Sequence, residues 1–365
     1  MTRFRLTTAV IVLAGLPVGL HAEDYPFIAE DLPPHLAERA AAQANQLLLG
    51  EFVGPDEFFI AGIKVWKSTQ SIRVCFFGGG TAIRSRIAQA ANEWTTVGGY
   101  VPLNFGSLQD PRNCALNEFN HIRVGFAYKG YWSMVGTDSV NVAAQAEQSM
   151  NLALYDINPP AEPTFSQVVK HEFGHALGFQ HEHQSQTAPC VDEFNWDAVY
   201  AYLQGPPNYW SIEKINHNLR PRNPQPGDAS SPFDRDSIML YSFPASFYKS
   251  GTNAQCYTPG NTAISDVDIS GILQFYPANI SDQAEAQQEA LQGFFGAVDA
   301  LANVSEEAKS FAKLTASSLS GGTNAEFTQA PFWGQSGAEQ FMIMQAVPAV
   351  PFDGSLQYLS PPPRF

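Results

Sequence analysis

Length, composition and charge describe an ordinary globular protein with an acidic surface. The 365 residues, 44% of them hydrophobic, are enough to bury one substantial core with flanking segments. The formal net charge of −15 would repel a polyanion, and no cluster of Lys and Arg is dense enough to compensate. We therefore expect no nucleic-acid partner.

Residues 1–22 have the pattern of a secretory signal peptide. Arg3 and Arg5 provide a positive start, residues 6–20 form an apolar run, and Ala22 ends an acceptable cleavage site. We expect cleavage near Ala22 and export to the extracellular space or the periplasm. No later apolar run reaches spanning length, so the mature chain should have no membrane anchor.

Residues 23–65, rich in Pro, Ala and acidic groups, are interpreted as a propeptide or N-terminal extension before a globular domain at 66–278. In that domain, strands are expected at 71–77, 121–126 and 151–157, with a helix after the first strand. His121 is expected on a strand surface, and His183 and His217 in loops. The alternation predicts an α/β (α+β) fold with a twisted mixed sheet.

The four cysteines indicate two disulfide bonds in an exported chain. Three pairings satisfy this number. We favour Cys75 with Cys114 and Cys190 with Cys256, because each pair lies within one half of the domain.

Residues 171–181, HEFGHALGFQH, have the spacing of a catalytic zinc site. On a helix, His171 and His175 lie on one face and can bind one metal ion, while Glu172 can act as general base towards water. Gly178 should end the helix so that His181 approaches the same ion. HExxH alone occurs by chance on amphipathic helices, but the added glycine and third histidine make a coincidence improbable. Thr164 and Gln167 could form a capping box at the start of this helix.

This motif, followed by a methionine turn, resembles the metzincin clan of zinc endopeptidases. Residues 237–241, Ser-Ile-Met-Leu-Tyr, resemble the S-I-M-x-Y turn of the astacin group, in which histidine is usual at the place of Leu240. The resemblance implies a zincin fold with a smaller Met-turn subdomain, Met239 beneath one catalytic Zn²⁺ ion, and Tyr241 stabilising the oxyanion.

Other segments resemble microbial astacin-like or matrix-metalloprotease-like secreted peptidases. Residues 130–136, Gly-Tyr-Trp-Ser-Met-Val-Gly, are similar to a segment that precedes the substrate-lining edge strand. Residues 52–56 loosely resemble a propeptide motif that places an aspartate, here Asp56, on zinc, but a surface turn is the simpler interpretation. We expect an extended peptide to pair with the sheet edge near 151–157.

Beyond residue 278, apolar residues at helical spacing predict one or two amphipathic helices in 279–316, followed by a poorly ordered tail at 317–365. The sequence thus predicts a secreted zinc endopeptidase that acts on proteins or peptides. Two alternatives stay open: a non-catalytic zinc-containing binding or adhesion module of the same fold, and a zinc hydrolase with non-peptide substrates.

Overall fold

The computed structural model describes residues 30–47, 62–67, 71–97, 99, 101–115, 117–222 and 231–319. The predicted signal peptide, the motif around Asp56 and the tail beyond residue 319 lie outside the described residues. Within the described ranges, no helix is both long and apolar enough to cross a membrane.

A five-stranded mixed sheet is the centre of the fold. Its strands are β1 (Ile72–Phe76), β2 (Leu103–Asn104), β3 (Ile122–Gly125), β4 (Tyr131–Ser133) and β5 (Met150–Leu152). Their order in the sheet is β2-β1-β3-β5-β4, with β4 antiparallel to β5 and the other neighbouring pairs parallel. The predicted α/β fold with a mixed sheet is confirmed.

The edge strand that contacts the helix at residues 164–176 is β4. Strand β5 is an inner strand, between β3 and β4. The strand predicted at 151–157 ends at Leu152, because the chain then turns and Leu154 adopts a φ of 63°. The expected substrate edge near 151–157 is therefore wrong. The edge strand on this side of the sheet is β4, residues 131–133, which lie in the segment of family resemblance.

Eleven helices are present among the described residues. They are α1 (Pro34–Gln46), α2 (Thr81–Ala91), α3 (Glu93–Thr96), α4 (Asp138–Asn141), α5 (Thr164–Ala176), α6 (Cys190–Glu193), α7 (Trp196–Gln204), α8 (Ile212–Leu219), α9 (Asp266–Phe275), α10 (Ile280–Ala300) and α11 (Glu306–Leu319). Helices α2 and α5 pack together and share the main core with the sheet. Of the apolar side chains at helical spacing in α2 and α3, Ile87, Ala91 and Trp94 are fully buried there, as their pattern predicts, and Ile83 is half-buried.

A second hydrophobic core, separate from the first, contains aromatic side chains of residues 194–257. The disulfide between Cys190 and Cys256 closes this smaller subdomain, with the two Cα atoms 5.3 Å apart. The other disulfide joins Cys75 in β1 to Cys114. Both favoured pairings are confirmed.

Three local expectations are wrong. His121 is buried rather than exposed, because its Nδ1 accepts a hydrogen bond from Arg73 N at 3.0 Å and its ring packs edge-on against Trp66. His183 is also buried, in a short 3₁₀ turn at Glu182–Gln184, and His217 lies in α8 rather than in a loop.

The capping box predicted at the start of α5, the helix that carries His171 and His175, is absent. Thr164 is the first residue inside α5 rather than its N-cap, and no side chain caps the helix from position 163. Instead, the Glu162 carboxylate accepts a hydrogen bond from Ser166 N at 3.2 Å, which satisfies one of the free N–H groups of the first turn.

Candidate active site

The three histidines of the sequence motif converge on one point. Helix α5 places the ring centroids of His171 and His175 4.8 Å apart, as expected for positions one turn apart. The helix ends at Ala176, and two residues later Gly178 has a φ of 112°, which favours glycine, and donates its N–H to His175 O at 2.8 Å. The chain then returns and brings His181 Nε2 to 3.1 Å from His175 Nε2.

Hydrogen bonds from the far side of two rings orient their nitrogens. His171 Nδ1 lies 2.8 Å from Ile238 O, and His175 Nδ1 lies 2.7 Å from Phe179 O. Because a carbonyl oxygen only accepts, each Nδ1 must carry the proton, and each Nε2 presents its lone pair to the common point. This is the tautomer that a metal ligand needs.

The turn at 237–241 forms the floor of the site. Met239 is 1% exposed, and its sulfur lies against Gly174 of α5, so close that a Cβ at Gly174 would be 2.4 Å from it. Asp268 of α9 anchors the turn by accepting hydrogen bonds from Ser237 Oγ at 2.7 Å and Ile238 N at 2.9 Å. The backbone of residue 182 donates to Met239 O, which joins the third histidine's segment to the turn.

Tyr241 borders the point where the histidines meet. Its ring centroid lies 4.5 Å from that of His181 and 5.6 Å from that of His171, and the ring stacks on Phe243. The phenol oxygen accepts a hydrogen bond from Glu30 N at 3.1 Å. Burial, followed by the charges of Glu30 and Glu172, raises the pKa of the phenol well above its ordinary value, so the hydroxyl is a proton donor at neutral pH.

A carboxylate from the N-terminal extension faces all three imidazoles. Glu30 Oε1 lies 3.1 Å from His171 Nε2, and Glu30 Oε2 lies 3.5 Å from His175 Nε2 and 3.2 Å from His181 Nε2. Burial alone would raise the pKa of this carboxyl, but the facing histidines, His181 first, lower it well below its ordinary value. Glu30 is therefore ionised in the site.

The donor set fits a zinc ion. Glu30 and the three histidines each offer one ligand atom, and these atoms lie within 4.8 Å of one another. Three imidazole nitrogens and one carboxylate oxygen are typical zinc ligands, and the number suits a tetrahedral ion. Burial lowers the pKa of His181 to about 4, whereas at His171 the effect of burial is outweighed by the hydrogen bond and charge of Glu30, which raise the pKa.

Glu172 lies beside the same centre. Its side chain is 1% exposed, and its Oε2 atom has no hydrogen-bond partner among the described residues. Burial and the neighbouring charge of Glu30 raise the pKa of this carboxyl well above its ordinary value. A buried carboxyl of raised pKa, close to a metal site, has the properties of a proton-transfer group.

An apolar wall continues from the metal site into the smaller subdomain. Trp210, Leu219 and Phe243 line a space beside Glu30 and His181. Because His181 and Tyr241 also line this space, it adjoins the metal site, and its three apolar side chains favour an apolar group.

The structure brings all five predicted site residues together. These are His171, His175, His181, Glu172 and Tyr241. Glu30 was not predicted, because the extension contains several acidic residues and no local pattern distinguishes this one. Asp56, the carboxylate suggested by the sequence, lies outside the described residues.

Comparison of folds finds solved structures that resemble this chain. A structure of myroilysin is 30% identical in sequence and superposes with a TM-score of 0.51, over 60% of this chain and 99% of that one. A second, crystal structure of myroilysin gives 29% identity and a TM-score of 0.44, over 62% and 89% of the two chains. High choriolytic enzyme 1, a hatching enzyme zinc-protease from Oryzias latipes (medaka fish), gives 18% identity and a TM-score of 0.37, over 57% of this chain and 92% of that chain. No protein-family model matches the sequence, and a search of curated proteins finds no match.

Proposed function

The chain belongs to the astacin-like metzincins and is a zinc metalloendopeptidase, and from this premise we propose a mechanism in which Glu172 is the general base and Glu30 keeps the site latent. The observation that carries the proposal is the convergence of three imidazole nitrogens beside one buried carboxyl group, Glu172, and one half-buried carboxylate, Glu30.

His171, His175 and His181 would hold one zinc ion. Bound zinc supplies Lewis acidity and lowers the pKa of a water ligand to about 7. The Nδ1 hydrogen bonds of His171 and His175 to backbone carbonyls keep two of the three imidazoles oriented, so the site needs little reorganisation when metal binds.

Glu172 takes the proton of the attacking water and delivers it to the leaving amine. Its buried position, next in sequence to the metal ligand His171, supports this role, because a general base must lie within hydrogen-bond reach of the proton that it takes. Tyr241 donates its phenol proton as a hydrogen bond to the oxyanion that develops on the scissile carbonyl. The raised pKa of Tyr241 keeps that proton available.

A peptide substrate would bind along β4. Residues 131–133 form the edge strand of the sheet, and an extended peptide backbone can pair with it as an additional strand. The substrate side chain next to the cleaved bond would enter the space lined by Trp210, Leu219 and Phe243. We expect a preference for an apolar residue at that position.

The described arrangement supports a latent state. Glu30 occupies the position that the substrate carbonyl would need, and its backbone N–H uses the hydroxyl of Tyr241. Asp31 forms a salt bridge with Lys214 of α8, and Leu36 of α1 packs against Trp132 of the edge strand. The extension thus covers both the metal site and the substrate edge, so activity requires that it leave.

The alternative of a non-catalytic binding module is less well supported. Such a module would need the histidines for shape but has no use for a general base beside them, and Glu172 is present, buried and directed to the centre. A zinc hydrolase with non-peptide substrates is also less well supported, because it would not need an edge strand such as β4 for pairing with a peptide backbone.

Secretion is proposed from residues 1–22 and from the cysteines. The four cysteines form two disulfide bonds, which persist in oxidising compartments. A signal peptide followed by a disulfide-bonded domain suits an extracellular or periplasmic enzyme.

The test compares two variants of the full-length chain. Glu30→Ala should hydrolyse a denatured protein without prior removal of the N-terminal extension, because it lacks the carboxylate that blocks the metal site, here called the plug. Glu30→Ala combined with Glu172→Gln should bind the same amount of zinc but lose turnover by several orders of magnitude, about 10³-fold or more, because the amide accepts no proton. Equal turnover in the two variants, with equal zinc, would remove Glu172 from the mechanism.

A further inference from the structure

The two C-terminal helices form an apolar surface that the N-terminal extension covers. Helices α10 and α11 contact each other and are named here the C-terminal hairpin. Their buried side chains share one cluster with two residues from the N-terminal side of the chain. The members of this cluster are Leu47, Ile63, Phe294, Val298, Ala312, Ala316 and Leu319.

Leu47 is the residue that connects α1 to this surface. It follows directly after α1, is 1% exposed, and packs in the hairpin cluster rather than in the main core. The other fully buried apolar side chain of α1 is Leu36, which packs near the edge strand at the opposite end of the helix. Helix α1 is therefore held at one end by the catalytic domain and at the other by the hairpin.

Polar contacts reinforce the same junction. Asp138 of α4 accepts hydrogen bonds from Gln43 of α1 at 2.7 Å and from Lys64 at 2.6 Å. Asn141, at the other end of α4, donates to Leu319 O at 3.3 Å. Gln43 and Asp138 are both buried, so loss of Asp138 would leave the Gln43 amide without this partner.

The helix can transmit this attachment to the metal site. A 13-residue helix is about 20 Å long and rigid. Glu30 precedes α1 by a few residues, so an anchored helix restricts where the carboxylate can go. If the Leu47 end is released, α1 keeps the Leu36 contact and its polar bonds from Arg39 to Glu147 and from Gln43 to Asp138, but it loses one apolar anchor, so Glu30 leaves the site more often.

We propose that the C-terminal hairpin is an internal docking surface for the N-terminal extension, and that its contact with Leu47 keeps Glu30 in the zinc site. The occupant of this surface is residues 30–47 of the same chain. The hairpin thereby sets how strongly the latent state is favoured, although none of its residues touches the metal ligands. This inference rests on the proposed function of Glu30 as a plug.

The experiment measures how often the site is open in the full, zinc-loaded chain. The probe is a fluorescent peptidyl hydroxamate, which competes with Glu30 for zinc, so its apparent affinity depends on the open fraction. Amide hydrogen exchange of residues 34–46 is a second readout that does not depend on the site. The variants are Leu47→Ala on the extension and Val298→Ala on the hairpin, and Val298 is fully buried in the same cluster.

Both variants should raise the apparent affinity for the probe by about tenfold or more and speed exchange in α1 by a similar factor. The double variant should gain less than the product of the single effects, because both remove one shared contact. Leu314→Ala, on a side chain of α11 that is 67% exposed, is the matched control and should behave as wild type.

The inference is overturned if Leu47→Ala binds the probe like wild type while Glu30→Ala binds it more tightly. If Glu30→Ala also binds it like wild type, the latent state itself fails, and the docking role fails with it. A Val298→Ala chain that does not fold leaves Leu47→Ala to decide, since Leu47 lies outside the hairpin.

Discussion

Met239 packs directly against Gly174, between the two zinc-site histidines of α5. A Cβ at Gly174 would lie 2.4 Å from the methionine sulfur and 3.2 Å from the ring of Trp94. The glycine is therefore needed for the close approach of the turn, although glycine is a poor helix former. This contact sets the distance between the zinc helix and the Met-turn.

Gly174→Ala should destabilise the chain and weaken zinc binding. The gain in helix propensity is about 1 kcal/mol, but the overpacking against Met239 and Trp94 costs about 1–3 kcal/mol and displaces His171 or His175. Thermal unfolding and zinc content on the same sample measure both effects. Gly296→Ala is the control, since Gly296 is exposed in α10 and a Cβ there would meet no atom within 4 Å. This variant should stabilise the folded chain by about 0.5–1 kcal/mol.

His175→Ala, made in the Glu30→Ala background, should lose most of the bound zinc, because the two imidazoles that remain do not complete the ligand set. The control, His217→Ala in the same background, removes an exposed histidine of α8 and should retain the bound zinc. Metal analysis after dialysis against a weak chelator compares the two. Equal zinc in both variants would remove His175 from the metal site.

Tyr241→Phe, made in the Glu30→Ala background, should lower kcat by about 10- to 1000-fold with little change in KM, because the phenol acts in the transition state. A purely structural tyrosine would lower the melting temperature, through the loss of about 1 kcal/mol, and leave turnover per zinc unchanged. Measuring kcat, KM, melting temperature and zinc on one preparation separates the two outcomes.

Acid should destabilise the chain through His121. Burial, followed by the charges of Arg73 and Arg123, lowers the pKa of His121 from 6.5 to about 4. Below pH 6.5 the unfolded chain binds a proton that the folded chain refuses, so this contribution is complete above pH 6.5 and is lost as the pH falls towards 4. The loss amounts to up to about 3 kcal/mol.

The measurement is urea unfolding at a series of pH values between about 4 and 7. His121→Asn keeps an acceptor for Arg73 N but has no proton to gain, so its stability should fall less with acid than that of wild type. Parallel curves for the two proteins would mean that His121 does not control this pH range.

The parts of the protein that follow from local spacing are those that the sequence determined by itself. Helical geometry places His171 above His175, and the positive φ of Gly178 follows from its position after the helix. The family turn brought Met239 and Tyr241 into the prediction. Each of these rests on a few neighbouring residues or on a recognised motif.

Only the tertiary structure decided which carboxylate faces the histidines and which strand forms the open edge. Glu30 is 141 residues from His171 along the chain, and nothing in its neighbours marks it among the acidic residues of the extension. Strands β4 and β5 are three residues each, too short for their side-chain pattern to specify a place in the sheet. Such placements depend on the sum of many long-range contacts, whose energies no short stretch of sequence contains.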